Sequence, residues 1–319
     1  MKNQKKNSCK TGRREFLSRI SAAAAASLVA SAGMKAGSPS FVPGIPYHQQ
    51  MPEMPAISLG PYHVSRLICG SNPFLGYSYL GQHTDRQMKE YFTAERAAEM
   101  LINCERAGIT AHQSSSRTDY YGLLEEQGSK LRLIRLHSDR EKISEALADY
   151  RPVALVHHGG VSDRMFAAGN KSLVHDYVKE VKDRGLLAGV SAHNPDVIKQ
   201  IADEGWEIDF FMACFYNLTR EVKTGEHVAA LPVGNYNFLK DDPVAMTNVI
   251  KQVTQPCLAF KILGAGRLCS SQEQVRSAFR FAFENIKPTD GVIVGMFPWS
   301  FDEITTNVQY VKEFGNITI

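Results

Sequence analysis

The chain has 319 residues, 44% of them hydrophobic and 22% charged, with a formal net charge of +3. That balance excludes disordered, collagenous and coiled-coil classes, and the length admits either one large barrel or two smaller domains. The charge is not spread evenly. Residues 1–32 hold seven Lys or Arg and one acid, a net of +6, which leaves −3 for the remainder. A mildly acidic body gives no reason in its charge to expect nucleic acid or an anionic membrane as partner.

The basic head runs Thr11-Gly12-Arg13-Arg14-Glu15-Phe16-Leu17 and passes into an alanine-rich apolar stretch that ends at Ala30-Ser31-Ala32. A charged head, a short apolar middle and small residues at the end are the parts of an export signal, and the run is too short for a transmembrane anchor. The paired arginines before Phe-Leu resemble the twin-arginine signal, with Gly12 and Ser18 replacing the hydroxyl residue and the lysine usual there. The expectation is a signal peptide over 1–32, cleaved after Ala32, handled by the twin-arginine export machinery and delivering a periplasmic or otherwise exported protein with no membrane anchor. Residues 33–61 are rich in proline (Pro39, Pro43, Pro46, Pro52, Pro55, Pro61), which suits an extended leader. Five cysteines remain beyond the signal, Cys69, Cys104, Cys214, Cys257 and Cys269. With no Cys-x-x-Cys pair, they read as small core residues more readily than as a disulfide framework or zinc site.

From residue 62 to 319 short apolar runs alternate with longer segments of helical period. The predicted pairs are Leu67–Gly70 with Ala94–Ala107, Ile109–Ser114 with Asp119–Glu126, Leu131–Leu136 with Arg140–Tyr150, and Val153–His157 with Ser172–Arg184. They continue as Leu186–Ser191 with Pro195–Glu204, Phe210–Phe215 with Pro243–Val253, Cys257–Leu263 with Gln272–Asn285, and Gly291–Gly295 with Phe301–Phe314. Strands without polar alternation are buried on both faces, and strict β-α alternation implies a parallel sheet. Eight such units predict a single (β/α)₈ TIM barrel of the α/β class. No Gly-x-Gly-x-x-Gly follows the first strand, which counts against a Rossmann domain. Two longer segments, Gly159–Lys171 and Asn217–Asp242, read as loops on the active-site side, the second carrying Tyr236, Asn237 and Phe238.

Barrel chemistry lies at the C-terminal ends of the strands. Those positions hold Asn72; His112, Gln113 and Ser114; Arg135 and His137; His157 and His158; Ser191 and His193; Cys214, Tyr216 and Asn217; Lys261; and Met296. This polar, histidine-rich rim suits a small-molecule site. His112, His137, His157 and His193 could together bind a divalent metal, although no His-x-His or His-Glu-x-x-His spacing supports one; hydrogen-bonding or acid-base histidines are the competing reading. Lys261, inside Ala259-Phe260-Lys261-Ile262-Leu263, is either a structural lysine or an amine suited to Schiff-base or proton-transfer chemistry.

Several segments resemble the aldo-keto reductase superfamily and occur in that family's order: Val64-Ser65-Arg66-Leu67 with Cys69-Gly70, Gly108-Ile109 through Tyr121-Gly122 and Glu125, Leu155-Val156-His157, Gly189-Val190-Ser191, Tyr216-Asn217-Leu218-x-Arg220, Leu263-Gly264-x-Gly266-x-Leu268, and Gly295 with Asn307. The resemblance implies hydride transfer from a nicotinamide cofactor, NAD(P), to a small carbonyl or sugar-like substrate. It puts the proton-donating tyrosine on Tyr121 and the substrate-orienting histidine on His157. The aspartate of that family's tetrad falls on Gln113 and its lysine near Arg135 or His137, so the tetrad is incomplete. Ser191, Tyr216, Asn217, Gly264, Gly266 and Arg267 fall at cofactor-binding positions, but the residues that would hold the carboxamide are Ala192 and Ala213. The loop after the eighth strand offers Asp302 and Glu303 where the family offers cations. The candidate catalytic set is therefore Tyr121, His157, Gln113, Arg135, His193 and Lys261. Three readings stay open: a divergent oxidoreductase, a cofactor-independent or metal-assisted lyase, isomerase or hydrolase on the same barrel, and a ligand-binding barrel without catalysis.

Overall fold

The computed structural model describes residues 53–149, 152–220 and 236–316; the expected signal peptide and most of the segment read as a leader lie outside them. The first described element is a hairpin. Strand β1 (Ala56–Leu59) buries Ile57 and Leu59 and exposes Ala56 and Ser58, and it pairs antiparallel with β2 (Tyr62–Ser65). Gly60, at φ +55°, makes the turn ahead of Pro61, a backbone conformation that costs glycine nothing. The hairpin thus begins inside the segment read as an extended leader, because a period-two pattern of only four residues is hard to see among prolines.

Eight parallel strands follow: β3 (Leu67–Gly70), β4 (Ala111–Ser114), β5 (Arg132–Leu136), β6 (Ala154–His157), β7 (Leu187–Ala192), β8 (Phe210–Cys214), β9 (Cys257–Phe260) and β10 (Gly291–Gly295). They close in the order β10-β3-β4-β5-β6-β7-β8-β9, a (β/α)₈ barrel. The helices are α1 (Gln82–Tyr91), α2 (Ala94–Arg106), α3 (Tyr121–Glu126), α4 (Ile143–Asp149), α5 (Gly159–Ala167), α6 (Lys171–Asp183), α7 (Pro195–Asp203), α8 (Asp242–Gln252), α9 (Gln272–Asn285) and α10 (Glu303–Phe314). No helix among the described residues is long and apolar enough to cross a membrane.

Two apolar cores account for the unpatterned strands. One fills the barrel with Ile68, Ala111, Ile134, Ala154, Val156, Phe210, Met212, Leu258 and Ile293, and it is continuous with Ile57, Leu59 and Val64 of the hairpin. The hairpin therefore plugs the end where the strands begin and leaves the C-terminal end for a site. The second core lies between strands and helices and takes the alternate strand residues, among them Leu67, Cys69, Leu133, Leu155, Val190 and Phe211. Cys69, Cys104, Cys214 and Cys257 are buried and Cys269 is exposed.

Closure of the barrel is pinned by Arg66, just ahead of β3. Its guanidinium is buried and donates to three backbone carbonyls, Asp290 at 2.7 Å, Gly315 at 2.8 Å and Lys287 at 3.0 Å, while lying 4.7 Å from the centre of the Phe283 ring. One side chain thereby ties the start of β3 to the entry of β10 and to the end of α10.

Besides the hairpin, two helices were not visible in the sequence. Helix α1 buries none of its residues, so it shows no apolar stripe. Residues 159–167, read as loop, form α5; Gly159 and Gly160 hide it, since glycine is a poor helix former.

Candidate active site at the barrel mouth

Which face a strand-end side chain takes decides whether it reaches the mouth. On β4, Ala111 points into the barrel, so Gln113 does as well and His112 points outward. His112 is buried there, with Nδ1 2.9 Å from the Cys69 carbonyl and Nε2 2.8 Å from the Tyr120 hydroxyl. On β5, Ile134 faces in and Arg135 faces out, donating to the Ala146 carbonyl of α4 at 2.8 Å. On β6, Val156 faces in and His157 out, its Nδ1 2.8 Å from Ser162 Oγ and its ring 5.0 Å from that of Tyr177 on α6. Tyr121 is buried, its ring edge-on to Tyr120 at 4.7 Å. Arg135 and His157 are thus not gathered with the other candidates at the mouth. Arg135 and His157 tie strands to helices.

Burial holds the His157 imidazole down to about 4, against an ordinary value of 6.5. Between those two values the unfolded chain takes up a proton that the folded chain refuses, so stability is full above pH 6.5 and falls as the pH drops towards 4. For this one residue the loss amounts to about 3 kcal/mol. Denaturant melts at pH 7 and pH 4.5 should show a smaller acid loss in His157→Gln than in the wild type.

The mouth itself is built around His193, which follows β7, and Asp163 of α5. His193 Nδ1 lies 2.9 Å from Asp163 Oδ2, and the same carboxylate accepts the backbone N–H groups of His193 at 3.0 Å and Asn194 at 3.3 Å. A carboxylate already accepting two N–H groups accepts from the imidazole too, which puts the ring proton on Nδ1 and leaves the Nε2 lone pair as a base. Burial pushes the His193 value down, the positive charge of Lys261 adds to this, and Asp163 opposes it. His193 is therefore neutral at pH 7. Gly159 makes the close approach possible, since a Cβ there would stand 2.9 Å from Ser191 Oγ and 3.1 Å from His193 Cε1.

Lys261 stands directly after β9 with φ +59°, a left-handed conformation that L side chains rarely adopt. Its Nζ lies 4.7 Å from the centre of the Phe260 ring and 4.8 Å from that of Tyr79, and Phe260 also packs on His193 at 5.7 Å. Tyr79 has φ +59° as well. His158 is held below its ordinary value by burial first, and the positive charge of Lys261 adds to this. The mouth thus brings together Gln113, His158, Ser191, His193 and Lys261, with Asp163 behind His193. Asp163 was missed in the sequence because its segment read as loop. It is the one acid between His158 and Lys171, and that was the available signal.

The positions assigned to a cofactor do not fit a nicotinamide dinucleotide. Tyr216 is buried, with its ring on Phe238 at 4.9 Å and its hydroxyl against Gly264. The N–H of Asn217 donates to Asp242 at 3.1 Å, and its Oδ1 takes the Thr219 hydroxyl at 3.0 Å. The N–H groups of Gly264, Gly266 and Arg267 are used inside their own turn, on the carbonyls of Lys261, Leu263 and Gly264. The Arg267 guanidinium bonds the carbonyls of Gly264 and Tyr79 and covers the Phe238 ring at 3.9 Å, which makes it a brace for the turn. Ala192 and Ala213 face each other in register and offer no amide side chain. Glu303 is half-buried and accepts the Phe297 N–H at 2.8 Å, next to the place where a phosphate would need cations. The histidines at the strand ends do not converge, and among the described residues no three His, Cys, Asp or Glu side chains are grouped to hold a metal ion.

No protein-family model matches the chain, and no curated protein does. Solved structures similar to it include an aldo-keto reductase, the glycerol dehydrogenase from Gluconobacter oxydans, at 11% identity over 83% of this chain and 98% of that one, with a TM-score of 0.47. The N-acetylmannosamine-6-phosphate 2-epimerase from Clostridium perfringens is 15% identical over 70% and 86% of the two chains, with a TM-score of 0.42. A dihydropteroate synthase from Xanthomonas albilineans is 12% identical over 81% and 96%, with a TM-score of 0.43. What these proteins share with the chain is the TIM barrel, a fold that hosts many unrelated reactions and assigns none of them.

Proposed function

We propose that the protein is a barrel enzyme that moves a proton on a small carbonyl-bearing or sugar-like substrate, as an isomerase or lyase does, without nicotinamide. The observation that carries this reading is the Asp163–His193 contact at the mouth, which engages Nδ1 and leaves Nε2 of a neutral imidazole as the base, on a ring that packs against the same Phe260 as Lys261. His193 takes a proton from the carbon beside the carbonyl, and the Lys261 ammonium stabilises the negative charge that develops on oxygen. Gln113, Ser191 and His158 supply hydrogen bonds to hydroxyl groups. The partner is a small molecule, and the aromatic wall of Tyr79 and Tyr236, with ring centres 5.1 Å apart, suits the flat face of a sugar.

The hydride-transfer reading needs Tyr121 and His157 at the reacting carbon and a clear cofactor path over Tyr216; the residues present support neither. The test is to incubate the enzyme in D₂O with a panel of aldoses, ketoses and their acids and to follow loss of the proton next to the carbonyl by NMR. Exchange that depends on His193 supports the proposal. Fluorescence titration with reduced NAD(P) showing saturable binding, together with no exchange across the panel, would return the oxidoreductase reading to first place. The twin-arginine leader belongs to the same proposal as an address outside the cytoplasm, and cell fractionation of the full chain against an Arg13→Lys, Arg14→Lys variant tests it.

A further inference from the structure

We propose that Lys261 acts as a covalent nucleophile, forming an imine with the substrate carbonyl at the barrel mouth. This rests on the proton-transfer reading above and deepens it, by naming the substrate as an aldehyde or ketone and by replacing the ammonium's electrostatic role at the carbonyl oxygen with a covalent iminium that takes up the electrons from the C–H bond.

Three observations point the same way. Lys261 directly follows the C-terminal end of β9, and its Nζ and the His193 ring pack on the same Phe260 side chain, so an incoming carbonyl meets an amine and a proton acceptor on one wall of the mouth. Its partners are also unusual. Among the described residues no carboxylate pairs with Nζ, which rests instead on the faces of Phe260 and Tyr79. A carboxylate would pin the ammonium, whereas two ring faces hold any cation at that nitrogen, and an iminium carries the same single positive charge in the same place. Finally, the backbone is held in a costly conformation at both contacting residues, Lys261 and Tyr79, each at φ +59°. Arg267 locks the pair by donating to the Tyr79 carbonyl at 3.3 Å and the Gly264 carbonyl at 3.2 Å. Non-glycine residues kept in this region tend to mark working parts of a site.

The step balances without an oxidant or reductant. The ammonium gives one proton to His193 Nε2, and the free amine adds to the carbonyl carbon. As the N–C bond forms, the second proton on nitrogen passes to the former carbonyl oxygen and gives a carbinolamine. His193 returns its proton to that hydroxyl, which leaves as water. One ammonium and one carbonyl have become one iminium and one water. The iminium then draws electrons from the neighbouring C–H bond, and His193 removes that proton to give the neutral enamine.

The test is reductive trapping. The full chain is incubated with sodium cyanoborohydride and, separately, dihydroxyacetone, glyceraldehyde and pyruvate, and is then analysed by intact mass and peptide mapping. The expected result is one adduct per chain on the peptide carrying Lys261, with trapping at least tenfold slower in Lys261→Met, whose circular dichroism matches the wild type. His193→Gln should still form the adduct, more slowly. Labelling spread over surface lysines, equal labelling of Lys261→Met, or no adduct at Lys261 with any of the three probes would overturn the proposal. Exchange in D₂O without trapping would remove the imine and keep the proton-transfer reading. Trapping at Lys261 without exchange would keep the imine and remove that reading.

Discussion

His193→Gln lowers turnover by a factor of about 10² to 10⁴, the range that a positioned acid-base group contributes. Glutamine fills a similar volume and can still donate to Asp163, so the fold is kept and only the basic nitrogen is lost. Asp163→Asn behaves differently. The carboxylate raises the value of the imidazole against the lowering effect of burial, so its removal moves the acid limb of the pH profile to lower pH. It also lets the ring adopt the other tautomer, with Nδ1 accepting and Nε2 carrying the proton, and turnover falls although the side chain at 193 is unchanged. Asp163→Ala goes further and costs stability, because the N–H groups of His193 and Asn194 and the imidazole N–H lose a common acceptor in a buried place. Activity profiles from pH 5 to 8 for these variants, with thermal melts beside them, separate the catalytic loss from the structural one.

Arg66→Ala destabilises the barrel by more than about 3 kcal/mol, since buried acceptors left without a donor each cost about 1–3 kcal/mol. Three carbonyls, those of Asp290, Gly315 and Lys287, lose their donor at once. Packing over Phe283 goes as well. In a domain of this size the melting temperature should fall by at least about 6 °C. Lysine does not rescue the loss, because a single ammonium cannot reach three carbonyls that the planar guanidinium meets in fixed directions. A melt in which Arg66→Ala stays within about 1 °C of the wild type would show that closure at the β3–β10 seam rests on the strand hydrogen bonds alone.

The fold was legible because a strand buried on both faces reads as an apolar run, and the chain contains eight such runs with helical segments between them. The same property blurred the site. Where both faces of a strand are apolar, nothing in the pattern says which way a polar residue at its end points. His157 and His193 therefore looked alike in the sequence, yet one faces away from the barrel interior and hydrogen-bonds Ser162 of α5, and the other borders the mouth. Arg135 was misplaced for the same reason. Gln113, Ser191 and Lys261 do reach the interior or its rim. Asp163 stayed hidden because two glycines masked α5, and the strained pair Tyr79 and Lys261 depends on backbone angles that no composition rule encodes. The turn at Gly264 shows another limit. Its glycines suggested an anion cradle, but the N–H groups of Gly264, Gly266 and Arg267 are spent on closing the turn itself.

Base catalysis at the mouth turns on a neutral His193 whose proton sits on Nδ1 against Asp163. Long-range proton–nitrogen correlation spectra of the histidine rings, recorded from pH 5 to 8 and assigned with His193→Gln, measure both properties in the free protein. The predicted result is an Nδ1–H tautomer titrating below 6.5, with its midpoint falling further in Asp163→Asn. An Nε2–H tautomer in the wild type, or a midpoint above 6.5, would show that His193 is not the base.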